Sequence, residues 1–244
     1  AWLPRLAALL LPCAVSGSSD AYAPPGGDGP SGIVYVIRHG EKIPAGDHLN
    51  RTGLARAQHV ARIFGGGTGG LYVPPKAIFA NFFHNENNSV ELGTPLAQRR
   101  GIMVNSSFHR PLYGENNTAA ATAILQSLRE TGGPVMAIWE SWNLVPLVQD
   151  LGCNRTWLQP YDGWAWGHGE HRPGCYDRFF ILHLRHGRCA ELEMKWQGFE
   201  NWKTWPTAEE RKQLEREFWA WFQWTAVIAF LSLAAVAASL RWPC

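Results

Sequence analysis

The stretch GIVYVIRHGEKIP, Gly32–Pro44, decides how the rest of the chain is read. Its opening residues form a short β-branched run bounded by glycine, with the length and composition of a buried strand. Arg38, His39 and Gly40 follow at once. The same tripeptide recurs at Arg185-His186-Gly187, between DRFFILHL and RCAELEMKW. There Leu192, Met194 and Trp196 alternate with Glu191, Glu193 and Lys195, so the spacing predicts a hairpin with His186-Gly187 as its two-residue turn. The second copy is a turn. The first stands at the carboxyl end of a buried strand, where a histidine can face a ligand and a glycine lets the backbone turn.

Downstream of the first copy, strands and helices alternate. NRTGLARAQHVARIF carries Leu54, Ala57, Val60, Ala61 and Phe64 at helical spacing, and three glycines from Gly65 stop it. AIFA reads as a strand, LGTPLAQRRG as a short helix, and MVN as a further short strand. NNTAAATAILQSLRE reads as a helix, VMAIW as a strand, and LVPLVQDLG as a helix ending at Gly152. The alternation predicts an α/β fold: a three-layer α/β/α sandwich with a mostly parallel central sheet over residues 32–200. Ligands of such sheets gather at the carboxyl ends of the strands.

The two ends of the chain have a different character. Residues 1–23 show one positive charge at Arg5, an apolar run from Leu6 to Val15, and small residues at Ala21 and Ala23. That is the layout of a secretory signal peptide; a buried helix is the alternative, against which Pro12 counts. A Gly/Pro/Ser linker, 24–31, follows. At the other end, residues 218–240 carry no charge, and as a helix they would extend about 35 Å at ~1.5 Å per residue. Trp219, Trp221 and Trp224 crowd one end and Arg241-Trp242 close the other. The expectation is a C-terminal transmembrane helix over 218–240, preceded by a juxtamembrane helix over 201–217 and followed by a short tail, 241–244. A lipid-anchor signal is the rival reading, but charged residues dominate where it would need small ones. Together these ends predict a single-pass type I membrane protein with its domain luminal or extracellular.

Composition limits the function classes. Of 244 residues, 46% are hydrophobic and 17% charged, and the net charge of +2 provides no electrostatic footprint for nucleic acid. Candidate glycosylation sites are Asn50, Asn87, Asn105, Asn116 and Asn154, each in an N-x-Ser/Thr sequon. Cys153, Cys175 and Cys189 match no zinc spacing. The expected disulfide is Cys153 with Cys175, around the Trp-rich loop, leaving Cys189 free; three unpaired thiols are the other reading.

RHGEK at the end of a strand, followed by LNRTGLARAQ on the next helix, resembles the histidine phosphatase superfamily, in its phosphoglycerate-mutase-like branch. The resemblance continues through IFA, TPLAQRRG, VMAIWES, LVPLVQDLG and CYDRFFILHL, and covers residues 32–199. It implies that His39 is a nucleophile forming a phosphohistidine, which water then hydrolyses, and that Arg38 binds the phosphoryl group. Glu41 and Lys42 are open between a site role and a solvated turn. The family chemistry uses no metal and no cofactor. Two expected pocket residues are substituted: a second arginine is replaced by Asn88, aligned through Glu91, and a second histidine by Ser141 in WESWNLVP. One charged donor aimed at a transition-state oxygen is worth about 10²–10³ in rate. His84 and His109, the latter beside Arg110, are auxiliary candidates; Arg99-Arg100 fit a solvated helix face, and Glu140 is a candidate general acid. The resemblance thus implies a phosphohydrolase acting on a phosphorylated small molecule or phosphoprotein, or a pseudophosphatase that binds such a ligand or a partner protein.

Overall fold

The computed structural model describes residues 29–42, 48–83, 87–110, 116–158 and 176–199, with Lys212, Arg216, Trp219 and Gln223. Strand β1 (Gly32–Arg38) leads into helix α1 (Arg51–Phe64), then β2 (Ala77–Ala80), β3 (Phe82–Phe83) and α2 (Asn88–Arg100). Next come β4 (Val104–Asn105), β5 (His109–Arg110), α3 (Asn117–Thr131), β6 (Val135–Trp139), α4 (Leu144–Asp150) and α5 (Arg155–Leu158), and the domain closes with β7 (Arg178–Arg185) and β8 (Arg188–Trp196).

The main sheet has the order β4-β2-β6-β1-β7-β8. β4, β2, β6 and β1 pair in parallel, whereas β7 is antiparallel to β1 and β8 antiparallel to β7. The sheet is therefore mixed. Its two faces are both covered, as near-continuous apolar strands require. Tyr35, Ile37, Ile78 and Met136 pack against Val60, Ile63 and Phe64 of α1 and Leu92 and Leu96 of α2. Val34, Val36, Ala137 and Phe180 pack on the opposite side against Ile124 and Leu128 of α3 and Leu147 and Val148 of α4. β3 and β5 form a separate two-stranded parallel sheet that the sequence did not announce.

The second RHG copy is a turn. His186 and Gly187 both adopt positive φ, at 52° and 72°, the conformation of a two-residue hairpin connection. The His186 amide is held by Ser31 Oγ at 3.0 Å and that of Gly187 by the Pro30 carbonyl at 2.8 Å.

Two expectations are corrected here. No helix among the described residues is long and apolar enough to cross a membrane. The longest, α3, has 15 residues, about 22 Å at ~1.5 Å per residue against a hydrocarbon core of roughly 30 Å. It also turns one polar face outward. The transmembrane helix, the membrane partner and the type I topology built on it are accordingly not retained. Of residues 218–240 only Trp219 and Gln223 are described, each at a helical position. The signal peptide over 1–23, most of the linker, the bulk of 201–217 and the tail lie outside the described residues.

The second correction concerns the cysteines. Cys153 pairs with Cys189, with Cα atoms 4.7 Å apart; Cys175 lies outside the described residues. The hairpin turn brings Cys189 beside the loop after α4. Gly152, at φ 89°, packs where a Cβ would lie 3.5 Å from the Cys189 amide nitrogen. Sequence spacing carries no trace of that approach.

Candidate active site

His39 follows β1 directly, and its amide donates to the Trp139 carbonyl at the end of β6 at 3.1 Å. The carboxyl ends of β1, β2 and β6 thus meet at His39, Asn81, Glu140 and Ser141. The imidazole is buried, 2% exposed. Its Nδ1 lies 2.7 Å from the Gly40 carbonyl oxygen, which only accepts, so Nδ1 carries the proton and donates. Nε2 then holds the lone pair. Burial, with Arg38 and Lys42 adding positive charge, pushes the His39 pKa well below the usual imidazole range. The result is a neutral imidazole with a defined tautomer, the form a nucleophile needs.

Arg38 is equally buried. Its Nη2 donates to the Tyr176 hydroxyl at 3.4 Å, and its Cζ lies 4.1 Å from the centre of the Tyr176 ring. Nε and Nη1 are buried and donate to nothing among the described residues. Buried guanidinium donors without acceptors are costly, and an anion in front of them would remove that cost.

Helix α1 holds the turn after His39. Asn50 caps the helix by accepting from the Gly53 amide at 2.9 Å, and its own amide donates to the Glu41 carbonyl at 2.9 Å. Gly53 is required by close approach, since a Cβ there would sit 2.1 Å from the Glu41 carbonyl oxygen. Arg56, 0% exposed, grips Glu41 with two bonds, Nε to Oε2 at 2.9 Å and Nη2 to Oε1 at 2.6 Å. Its Nη1 reaches Asp177 Oδ1 at 3.0 Å and Gln197 Oε1 at 3.1 Å. Glu41 is therefore neither a solvated turn residue nor a phosphate ligand; it ties the His39 turn to α1.

The remaining candidates distribute as follows. Asn88 and Ser141 are both buried at the carboxyl-end rim, the one opening α2 and the other directly after Glu140. Glu140 is buried as well, and its amide donates to Asn81 Oδ1 at 3.1 Å. Asn81 Oδ1 also accepts from Ser89 Oγ at 3.4 Å, so this residue joins the ends of β2 and β6 to α2. Glu91 turns to the loop before α1, accepting from the Leu49 amide at 2.7 Å. His84 lies outside the described residues, and of His109 only the backbone is described, in β5 beside Phe82. Arg99 and Arg100 are exposed on α2. Among the sequons, Asn87, Asn105, Asn116 and Asn154 are exposed. Asn50 is buried and engaged at both ends of its carboxamide, with Gly53 and with the Lys42 carbonyl, so it is unsuited to carry a glycan.

Sequence reasoning missed Arg56, Asn81, Tyr176, Asp177 and Gln197. Arg56 left a signal: it stands between Gly53, Ala57 and Val60 on the buried stripe of α1, where a charge demands buried partners. Tyr176 and Asp177 left none, because the arginines they meet, Arg38 and Arg56, are more than a hundred residues away in the chain.

No family model matches the chain, and no curated protein matches it. Similar solved structures include one described as mycobacterial hydrolase 1, at 14% identity over 69% of this chain and 99% of the other, with a TM-score of 0.45. A mycobacterial glucosyl-3-phosphoglycerate phosphatase is similar at 14% identity, over 68% of this chain and 98% of that one, with a TM-score of 0.45. An alpha-ribazole phosphatase from Shigella flexneri is similar at 11% identity, over 67% of this chain and 95% of its own length, at 0.39.

Proposed function

We propose that the chain is a histidine-phosphatase-superfamily protein of the phosphoglycerate-mutase-like branch, with His39 as the nucleophile of a phosphomonoester hydrolase. The observation that carries this reading is the His39 imidazole itself, neutral by burial and fixed in the Nδ1–H tautomer by Gly40. In the first step the Nε2 lone pair forms a bond to phosphorus while the ester P–O bond breaks, and the leaving alcohol takes up a proton. Glu140, at the rim after β6, is the proposed donor. As positive charge develops on the ring, the Nδ1–H bond to the Gly40 carbonyl strengthens, which favours the transition state over the ground state. In the second step water attacks phosphorus and gives a proton to the Glu140 carboxylate, the P–N bond breaks with its electrons returning to Nε2, and phosphate leaves with neutral imidazole restored. Arg38 supplies charged donors through Nε and Nη1. The substrate is a phosphorylated small molecule or a phosphoprotein.

Asn88 and Ser141 favour a second reading, a pseudophosphatase that binds a phosphorylated ligand without turning it over. They can donate neutral hydrogen bonds where two cationic groups would each contribute about 10²-fold or more in rate. Turnover of 4-nitrophenyl phosphate by the whole chain, compared between wild type and His39→Ala, decides between the two. Loss of activity by more than about 10³-fold in the variant is expected; equal background rates in both proteins leave the binding reading alone.

A further inference from the structure

Tyr176 touches both Arg38 and His39 of the proposed site. Its ring covers one face of the Arg38 guanidinium at 4.1 Å, and it meets the His39 ring edge-on, at 5.8 Å between centres and 64° between planes. Tyr176 is itself anchored from two directions. Its carbonyl accepts from Gln197 Nε2 at 2.8 Å. Its neighbour Asp177 accepts from Arg56 Nη1 at 3.0 Å, from the Gly198 amide at 3.2 Å and from the Phe199 amide at 2.9 Å. One buried guanidinium, that of Arg56, therefore holds both the turn after His39, through Glu41, and the residue next to Tyr176, through Asp177.

A free arginine side chain carries substantial rotamer entropy, part of which an anion must offset when it binds. A ring stacked on the guanidinium fixes its plane beforehand. The ring takes up a face, and faces carry no hydrogen-bond donors; Nε and Nη1, which lie in the plane, remain without acceptors among the described residues. We infer that Tyr176 is a positioning residue for Arg38, holding the guanidinium so that its in-plane donors meet a phosphoryl oxygen. The inference rests on the phosphoryl-binding reading of the His39 site. It gives a site with Asn88 and Ser141 in place of cationic groups a means of holding phosphate: one arginine ordered in advance.

The test is calorimetric titration of orthovanadate into the whole chain as wild type, Tyr176→Phe and Tyr176→Leu, with thermal midpoints recorded for each. Phenylalanine keeps the stacked ring and is expected to bind within about twofold of wild type. Leucine removes the ring and is expected to weaken binding about tenfold, the scale of a desolvated cation–π contact, in protein that still melts in one transition. A residue that only supported the fold would lower the midpoint and leave the affinity of the folded protein unchanged, which overturns the inference. Tighter binding by Tyr176→Leu also overturns it, since the ring would then be an obstruction. So does a phenylalanine variant as weak as the leucine one, since the hydroxyl would then be the working group. Failure of the wild type to bind vanadate is a separate result, seen before any substitution, and removes the phosphoryl-site reading itself.

Discussion

Replacing Arg56 by methionine tests the buried network that holds the His39 turn in place. Methionine matches much of the arginine stem but not the guanidinium, whose Cζ lies 4.5 Å from the Phe199 ring, so that stacking contact is lost as well. What disappears is the charge and four hydrogen bonds, to Glu41 twice, to Asp177 and to Gln197. Both carboxylates are at most 3% exposed. They do not lose equally. Asp177 keeps the backbone amides of Gly198 and Phe199, whereas among the described residues the Glu41 carboxylate accepts from Arg56 alone. Removing one partner of a buried pair costs about 3–5 kcal/mol, a fifth or more of a total stability of about 5–15 kcal/mol. At roughly 2–4 °C per kcal/mol for a chain of this size, the midpoint should fall by about 6–20 °C. Urea unfolding of the whole chain, followed by circular dichroism, measures the loss as a lower midpoint at unchanged slope. Adding Glu41→Gln to Arg56→Met removes the stranded charge and should return more than half of the lost stability. A loss below about 1 kcal/mol in the single variant would refute the reasoning, because the carboxylates would then have to be solvated or otherwise paired. Failure of Glu41→Gln to rescue would refute the assignment of the loss to Glu41.

Two further predictions follow from the site and the disulfide. Because the His39 pKa is lowered by burial, the unfolded chain takes up a proton below about pH 6.5 that the folded chain refuses, so stability falls as pH drops through that value, by at most about 1.4 kcal/mol per pH unit from this group. His59, also lowered by burial, acts in the same direction; His39→Asn should therefore reduce, not abolish, the difference in urea midpoint between pH 7.5 and 5.5, and an unreduced difference would show that His39 is protonated in the fold. The Cys153–Cys189 bridge spans 36 residues, and closing such a loop stabilises by up to about 4 kcal/mol in the chain-entropy account. Cys153→Ala with Cys189→Ala should lower the unfolding free energy by about 2–4 kcal/mol, and dithiothreitol should lower wild type equally while leaving the variant unchanged; sensitivity of the variant to reductant would contradict this pairing.

Periodicity and turn chemistry alone placed β1, α1, β2, α3, β6 and the β7–β8 hairpin, and distinguished the RHG copy at a strand end from the one in a turn. These features are local: alternation, helical spacing and glycine at positive φ act over a few residues, so they are written in consecutive letters. His39 and Arg38 were legible for the same reason, since their position follows from where a buried strand stops. Apolarity by itself was less informative at residues 218–240, because it records a tendency to leave water, and no described helix has the length to use that tendency in crossing a membrane. What only the tertiary structure decided are relations between distant segments. The Cys153 partner is Cys189 because the hairpin folds back on the loop after α4. Glu41 is a structural anchor because Arg56 on the next helix faces it. Tyr176 enters the site because β7 pairs with β1 antiparallel, which brings its start beside the end of β1. A chain writes its local preferences into sequence directly; the long-range partners of a buried charge or ring are set by the packing of the sheet and helices that carry them.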